Sequence, residues 1–317
     1  MIDRYGREIT YLRLSVTERC DLRCRYCMPE DGICKKRHED MLTQEETLRA
    51  VEAAAELGIR KVRITGGEPL IKKNILSLCR GIAAIPGVEE LCLTTNAQRL
   101  AAMALPLRQA GVDRINISLD TLSEEKYRWI TRGGELKGAL EGLRAALDAG
   151  FSRVKINAVL MGGINDDEIP ALSALTKEMD VDVRFIELMP MVEAAFPREA
   201  FLSADAVLRA LPEAEAVSPE PGSVARLYRL PGARGSIGVI RPLSDHFCGE
   251  CSRLRITADG FIKPCLHRPG EYPLKGLVKE CMKRQLLAAV EHKRAWHGEL
   301  DAQHQSQAAR NMNEIGG

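Results

Sequence analysis

Between residue 11 and about residue 190, six β-rich runs alternate with amphipathic helical stretches, and few folds accept that order. The runs are Tyr11–Val16, Lys61–Thr65, Glu90–Thr95, Arg114–Leu119, Arg153–Leu160 and Val183–Met189. Repeated β–α units with right-handed crossovers build a parallel sheet. Six of them predict an α/β fold, an incomplete (β/α)6 barrel of the TIM type, because a full eight-strand barrel takes about 250 residues in this pattern. One helix opens at Thr43 with Glu46 three residues on, a capping box, and runs to Gly58. Another, Glu135 to Ala149, stops at Gly150, a residue suited to helix ends.

The stretch Leu211 to Gly235 changes character, with Pro212, Pro219, Pro221, Gly222, Pro231 and Gly232. That is linker or turn chemistry, and it divides the chain into 1–222 and 223–317. Beyond it come short strand candidates, Ser236–Ile240, Arg253–Thr257 and Phe261–Pro264, then helix from about Leu274, which makes an α+β extension. The tail from Ala302 is polar and ends in Gly316 and Gly317.

Composition narrows the function classes. Aromatic residues make up 4% of the chain, too few for stacking platforms that hold single-stranded nucleic acid. The net charge of +1 creates no global field for DNA or membranes, so an anionic ligand needs a local cluster. No signal-peptide core and no membrane-length apolar run is present, which leads to a cytosolic location. Ten cysteines in a reducing compartment then point to metal rather than disulfides.

Three of those cysteines, Cys20, Cys24 and Cys27, stand in C-x₃-C-x₂-C spacing directly after the first strand. That is the end where barrels place their active sites. Thiolates this close can wrap one soft metal centre; three on a [4Fe–4S] cube leave one iron open to another ligand. A zinc knuckle is the competing reading, though it normally takes a fourth Cys or His. After the second strand comes Thr65-Gly66-Gly67-Glu68-Pro69, whose glycines admit close backbone approach and whose carboxylate can accept from an ammonium group.

A second set, Cys248, Cys251 and Cys265, again offers three thiolates. His246 and His267 flank it, so Cys₃His zinc and iron–sulfur stand level on spacing alone. Within this set lies Arg253-Leu254-Arg255, whose period-2 alternation puts both guanidiniums on one face. Their planar forks suit phosphate. Arg13, Arg63 and Lys155 occupy barrel strands and can point into the lumen.

These motifs resemble those of radical S-adenosylmethionine (SAM) enzymes and, within them, the GTP 3′,8-cyclase family, which opens molybdenum cofactor biosynthesis. The likeness runs through RLSVTERCDLRCRYCMP, VRITGGEPL, LTTN, RINISLDTL, ITRGG, VKINAVL, RFIELMP, FCGECSRLRITADGFIKPCL and the closing MNEIGG. It implies a lyase with two [4Fe–4S] clusters, one on Cys20, Cys24 and Cys27 with SAM on its open iron, the other on Cys248, Cys251 and Cys265 facing the guanine. Tyr26, Gly67, Ser118 and Met189 match SAM positions. Arg13, Arg63, Thr94, Lys155, Arg253, Leu254 and Arg255 match GTP positions, and Arg13, Arg253 and Arg255 join the first cysteines as catalytic. Gly316 and Gly317 would thread into the active site. The implied partners are GTP, SAM, an external one-electron donor, the next pathway enzyme and a second copy of the chain; nucleic acid and membrane are not among them.

Two departures from the family pattern stand near the substrate: Ser252 in place of asparagine, and no glycine in Met191–Phe196. Cys34, Cys79, Cys92 and Cys281 match no ligand position and read as structural thiols. The alternatives are a peptide-modifying radical SAM maturase and a zinc-stabilised binding module without activity.

Overall fold

The structure is a computed structural model that describes residues 1–33, 36–191, 200–218, 223–300 and 304–316. Six strands follow the expected order: β1 (Tyr11–Ser15), β2 (Lys61–Thr65), β3 (Glu90–Thr95), β4 (Arg114–Ser118), β5 (Val154–Leu160) and β6 (Val181–Glu187). Helices α1 (Gln44–Glu56), α2 (Ile75–Ala83), α3 (Leu100–Gln109), α4 (Glu124–Thr131), α5 (Leu136–Asp148) and α6 (Ile169–Glu178) lie between them. At α1 the Glu46 amide donates to Thr43 Oγ1 at 3.1 Å while the Thr43 amide donates to the Glu46 carboxylate at 2.9 Å, closing the capping box. Gly150, just past α5, adopts φ +75°.

The remaining elements are α7 (Asp205–Ala210), β7 (Glu215–Val217), β8 (Arg226–Arg229), β9 (Ile237–Ile240), β10 (Arg253–Ile256), β11 (Phe261–Lys263), β12 (Tyr272–Pro273), α8 (Lys279–Glu291) and α9 (Met312–Ile315). They do not stand apart from the barrel. β10 pairs in parallel with β1, and β9 pairs in parallel with β6. The sheet order is β12-β11-β10-β1-β2-β3-β4-β5-β6-β9-β8-β7. Eight consecutive strands, β10 through β9, are therefore parallel, and antiparallel strands flank them. Within the stretch expected as linker, β7 and β8 form an antiparallel pair. Both are largely exposed, so they carry no apolar alternation to read.

Alternation along β1 divides its residues between two environments. Leu12 and Leu14 are fully buried in the core that includes Ala50, Val51, Ala53 and Ala54 of α1 and Leu286 of α8. Tyr11 and Arg13 turn to the opposite face, where they border the interior cavity. The pairing register sets Arg255, Arg13 and Arg63 side by side across β10, β1 and β2.

Candidate functional site

A cavity of about 510 Å³ is lined by residues along the parallel strands, from Tyr11, Lys61 and Arg114 at their starts to the loops past their C-terminal ends. Both cysteine sets border it: Cys20, Cys24 and Cys27 on one wall, Cys248, Cys251 and Cys265 on another. The first set sits in a loop clamped on both flanks. Arg23 and Arg25 donate backbone amides to the carbonyls of Thr131 and Ile130, at 3.0 and 2.9 Å. The Arg25 guanidinium lies 4.2 Å from the centre of the Trp129 ring. On the other flank, the Gly67 amide donates to the Thr17 carbonyl at 2.7 Å and the Glu68 amide to the Arg19 carbonyl at 2.8 Å.

The paired glycines, which border the cavity, also make a close approach inside the chain. A Cβ on Gly66 would lie 2.4 Å from the Thr17 carbonyl oxygen, and one on Gly67 would lie 2.1 Å from that of Arg19. The backbone they admit is the cysteine loop itself. Glu68 is likewise committed: its carboxylate accepts from the Leu70 amide (2.9 Å), the Thr95 hydroxyl (2.8 Å) and the Asn96 amide (2.7 Å). It bolts the end of β2 to the end of β3 while still bordering the cavity. Burial pushes this carboxyl up to about 7 against the pull of those hydrogen bonds.

Tyr26 and Asp120 brace the same wall. The Tyr26 hydroxyl donates to Asp120 at 2.8 Å, and the Val159 amide donates to the other Asp120 oxygen at 2.8 Å. Burial raises the Asp120 carboxyl to about 6. It also pushes the Cys20 and Cys27 thiols up to about 12 and raises Cys24 well above the ordinary thiol range.

The second set is built on the 3₁₀ turn Cys248–Glu250 with Cys251 directly after it, and on Cys265, two residues past β11. Two buried cations hold its backbone. Lys293 donates to the carbonyls of Arg253 (3.0 Å) and Pro264 (2.6 Å), and Arg7 donates to those of Cys248 and Arg294, both at 2.7 Å. At Cys251 burial is outweighed by Lys293 and Arg253, and the thiol is lowered. His246 and His267 each stand 5.4 Å, ring centre to ring centre, from His297. His267 shares a 3.2 Å hydrogen bond with Ser306. Burial, then His297 and Arg255, push it down to about 3.

Between the two sets lies a cationic floor. Arg13, Arg63, Arg253, Arg255 and Lys155 all border the cavity. Tyr11 stands among them and accepts from Arg63 Nε at 2.5 Å. Burial and neighbouring guanidiniums lower Arg255 to about 9; burial lowers Arg13 to about 10. Such crowding stores a demand for negative charge. Gly316 reaches this floor from the far end of the chain: its carbonyl accepts from Arg255 at 2.7 Å and from Arg13 at 3.4 Å. It adopts φ +80°, and a Cβ there would lie 2.3 Å from Thr65 Oγ1. The segment that delivers it is clasped by Arg310, which bonds both oxygens of Asp259 (3.1 and 2.9 Å) and both of Glu271 (2.7 Å each).

Tyr26, Gly67, Ser118 and Met189 border the same cavity, as does Thr94, which accepts from Arg63 at 3.4 Å. Leu254 does not border it. It alternates away from its two arginine neighbours and is fully buried in the apolar core. Gly317, Cys34 and the residues 192–196 of the glycine-poor departure lie outside the described residues. Ser252 borders the cavity. Cys79 and Cys92 are buried, and Cys281 accepts from Arg284 at 2.9 Å. Residues that sequence reasoning missed are Tyr11, Asp120, Arg7 and Lys293. Tyr11 had a signal, two positions before Arg13 on one strand; the long-range carbonyl contacts of Arg7 and Lys293 had none.

Comparison with known proteins agrees along the whole chain. Residues 14–175 match the Radical SAM superfamily, and residues 181–299 match Molybdenum Cofactor Synthesis C. A GTP 3′,8-cyclase of Peptoclostridium acidaminophilum is 45% identical, over 100% of this chain and 98% of its own length. One of Moorella thermoacetica is 46% identical over 92% of this chain and 91% of its own. Among solved structures, Streptococcus suis SuiB bound to S-adenosylmethionine shares the fold, with a TM-score of 0.67 at 15% identity, over 92% of this chain and 67% of SuiB. Motifs, fold and relatives thus agree that the chain belongs to the radical SAM superfamily and, within it, to the GTP 3′,8-cyclase family.

Proposed function

We propose that this cavity is where GTP is converted to 3′,8-cyclo-GTP, the first step of molybdenum cofactor biosynthesis. The observation that carries the proposal is that both cysteine triplets and the arginine floor border one cavity. The cofactors are S-adenosylmethionine and two [4Fe–4S] clusters, and the donor set suits them. Each triplet offers three soft thiolates. Among the described residues no three Cys, His, Asp or Glu side chains meet closely enough for a single metal ion, as a zinc site needs.

Cys20, Cys24 and Cys27 would hold the first cluster, and Cys248, Cys251 and Cys265 the second. The chemistry these groups supply when bound is one-electron cleavage of SAM to a species that takes hydrogen from GTP C3′, after which C3′ joins C8. The chain supplies position. Tyr26, Gly67, Ser118 and Met189 take the SAM side of the cavity; Arg13, Arg63, Thr94, Lys155, Arg253 and Arg255 take the triphosphate. Leu254 contributes by packing, which turns Arg253 and Arg255 inward. Holding the reacting carbon still and excluding water matter most where a reactive species would otherwise attack its surroundings. Gly316 on the arginine floor supports a role for the Gly316–Gly317 tail in closing the site.

The division into a partial barrel, 1–222, and a cluster and substrate part, 223–317, belongs to this reading. So do an external electron donor, hand-off to the next pathway enzyme and a homodimer. Among the described residues no helix is long and apolar enough to cross a membrane; the cysteines among those residues are free, which supports a cytoplasmic location. Anaerobic reconstitution followed by SAM, dithionite and GTP tests the proposal. It expects 5′-deoxyadenosine and a cyclised nucleotide to appear together; SAM cleavage unaffected by GTP would overturn it.

A further inference from the structure

We propose that the Tyr11 hydroxyl is an exchangeable counter-ion for the arginine floor, so that a triphosphate binding there takes up one proton. This rests on the reading of the cavity as a GTP site. Tyr11 is on β1 and borders the cavity. Charged groups face it from each neighbouring strand: Arg13 on its own, Arg253 on β10, Arg63 and Lys61 on β2, with Cys92 beyond on β3. Arg63 Nε donates to its oxygen at 2.5 Å, and the Arg253 guanidinium lies 5.7 Å from its ring centre. Lys61 stands 5.5 Å from the same ring and is also paired with Glu90, which in turn binds Arg114.

Burial alone would raise this phenol. Arg63, Arg13 and Arg253 outweigh it and pull the group down to about 8, with Cys92 opposing them weakly. A phenolate there offsets charge that a polyphosphate would also offset. When the polyphosphate arrives, the field that favoured the phenolate is cancelled, and the group returns to its ordinary range near or above about 10. An O–H bond forms with a proton drawn from solvent; no electrons move. Tyr11 acts through Arg63 and Arg13 and is a positioning residue. The sign follows: the bound state holds more protons, so the Tyr11 contribution to affinity is flat below about pH 8 and falls above it.

The test is calorimetry of GTP binding to the anaerobically reconstituted protein, in two buffers of different ionisation enthalpy. At pH 8.5 the phosphates of GTP are already fully ionised. Tyr11 should take up about 0.7 proton per GTP there, against about 0.1 at pH 7, and affinity should be at least about tenfold weaker at pH 9 than at pH 7. Tyr11→Phe keeps the ring and removes the hydroxyl; it should lose most of the proton uptake at pH 8.5, leaving the smaller share of the lowered Arg255, and most of the fall in affinity. Wild-type binding without proton uptake at pH 8.5 overturns the proposal, as does a Tyr11→Phe profile superimposed on wild type. If Tyr11→Phe fails to fold, the tyrosinate absorbance of the wild type decides: its loss when GTP binds at pH 8.5 upholds the proposal, and an unchanged tyrosinate signal overturns it. GTP binding with no pH dependence sinks the counter-ion; no GTP binding at any pH sinks the GTP reading and the counter-ion with it.

Discussion

Gly67→Ala separates two explanations of the same residue, a contact with SAM and a seat for the cysteine loop. The added methyl would lie 2.1 Å from the Arg19 carbonyl oxygen, where ordinary contact begins at 3.4 Å. The obstacle is backbone, so no rotamer change relieves it, and the loop must retreat by about 1.3 Å. Arg19 adjoins Cys20, and the retreat strains the bonds from Gly67 to Thr17 and from Glu68 to Arg19. Two backbone hydrogen bonds at about 1 kcal/mol each, with about 1–3 kcal/mol of overpacking, bring the cost to about 3–5 kcal/mol. That cost falls on the loop and leaves the second cysteine set untouched. Iron analysis after anaerobic reconstitution should drop from about eight to about four per chain, and SAM cleavage should vanish. A variant holding the parent's iron and cleaving SAM at the parent's rate would refute the seating argument. Full iron with weakened SAM affinity would instead assign Gly67 to the ligand.

Two further substitutions probe the floor and the tail. Arg255→Ala removes a charged donor worth about 1.5–3 kcal/mol, so kcat/KM for GTP should fall about 10- to 150-fold while slow uncoupled release of 5′-deoxyadenosine continues; parent-like GTP turnover would show that the guanidinium does not hold the triphosphate. Arg310→Ala leaves Asp259 and Glu271 without their clasp, and amide hydrogen exchange across 307–316 should quicken at least tenfold, since breaking such a half-buried network costs about 3–5 kcal/mol. Burial opposes ionisation at Asp259 and Glu271, but hydrogen bonds, from Lys36, Thr257 and Arg310 at the first and from Arg310 at the second, hold both below the usual range. Their contribution is complete above the unfolded value of about 4 and is lost as pH falls through the lower folded one. Wild-type exchange should therefore quicken in acid as well, and unchanged protection in Arg310→Ala would remove the clasp from the account.

Much of this architecture is legible in the residues because local signals agree. The six strands carry β-branched runs, α1 has its capping box, and the cysteine spacing lies directly after β1. The failures have physical causes. β7 and β8 are exposed edge strands, so apolar alternation is missing where it would have marked them. The short helix α9 escaped notice although Asn311 and Glu314 form its capping box. That the glycines of the second motif also seat the cysteine loop is not legible, since a sequence cannot tell which backbone will approach them. Leu254 was drawn in with its neighbours by the motif, against the period-2 rule that placed them. Arg7 and Lys293 lie nearly 290 residues apart in the chain, so their joint support of the second cysteine set emerges only on folding.

The placement of β9 and β10 bears on how the chain is made. Until residue 256 has left the ribosome, β1 shows solvent an unpaired edge; until residue 240 has emerged, so does β6. Most of the polypeptide is then translated as an open ribbon with two adhesive margins, the condition under which strands recruit neighbours from other chains. A nascent protein of this design needs protection over most of its synthesis, and its oxygen-sensitive thiolates share that exposure.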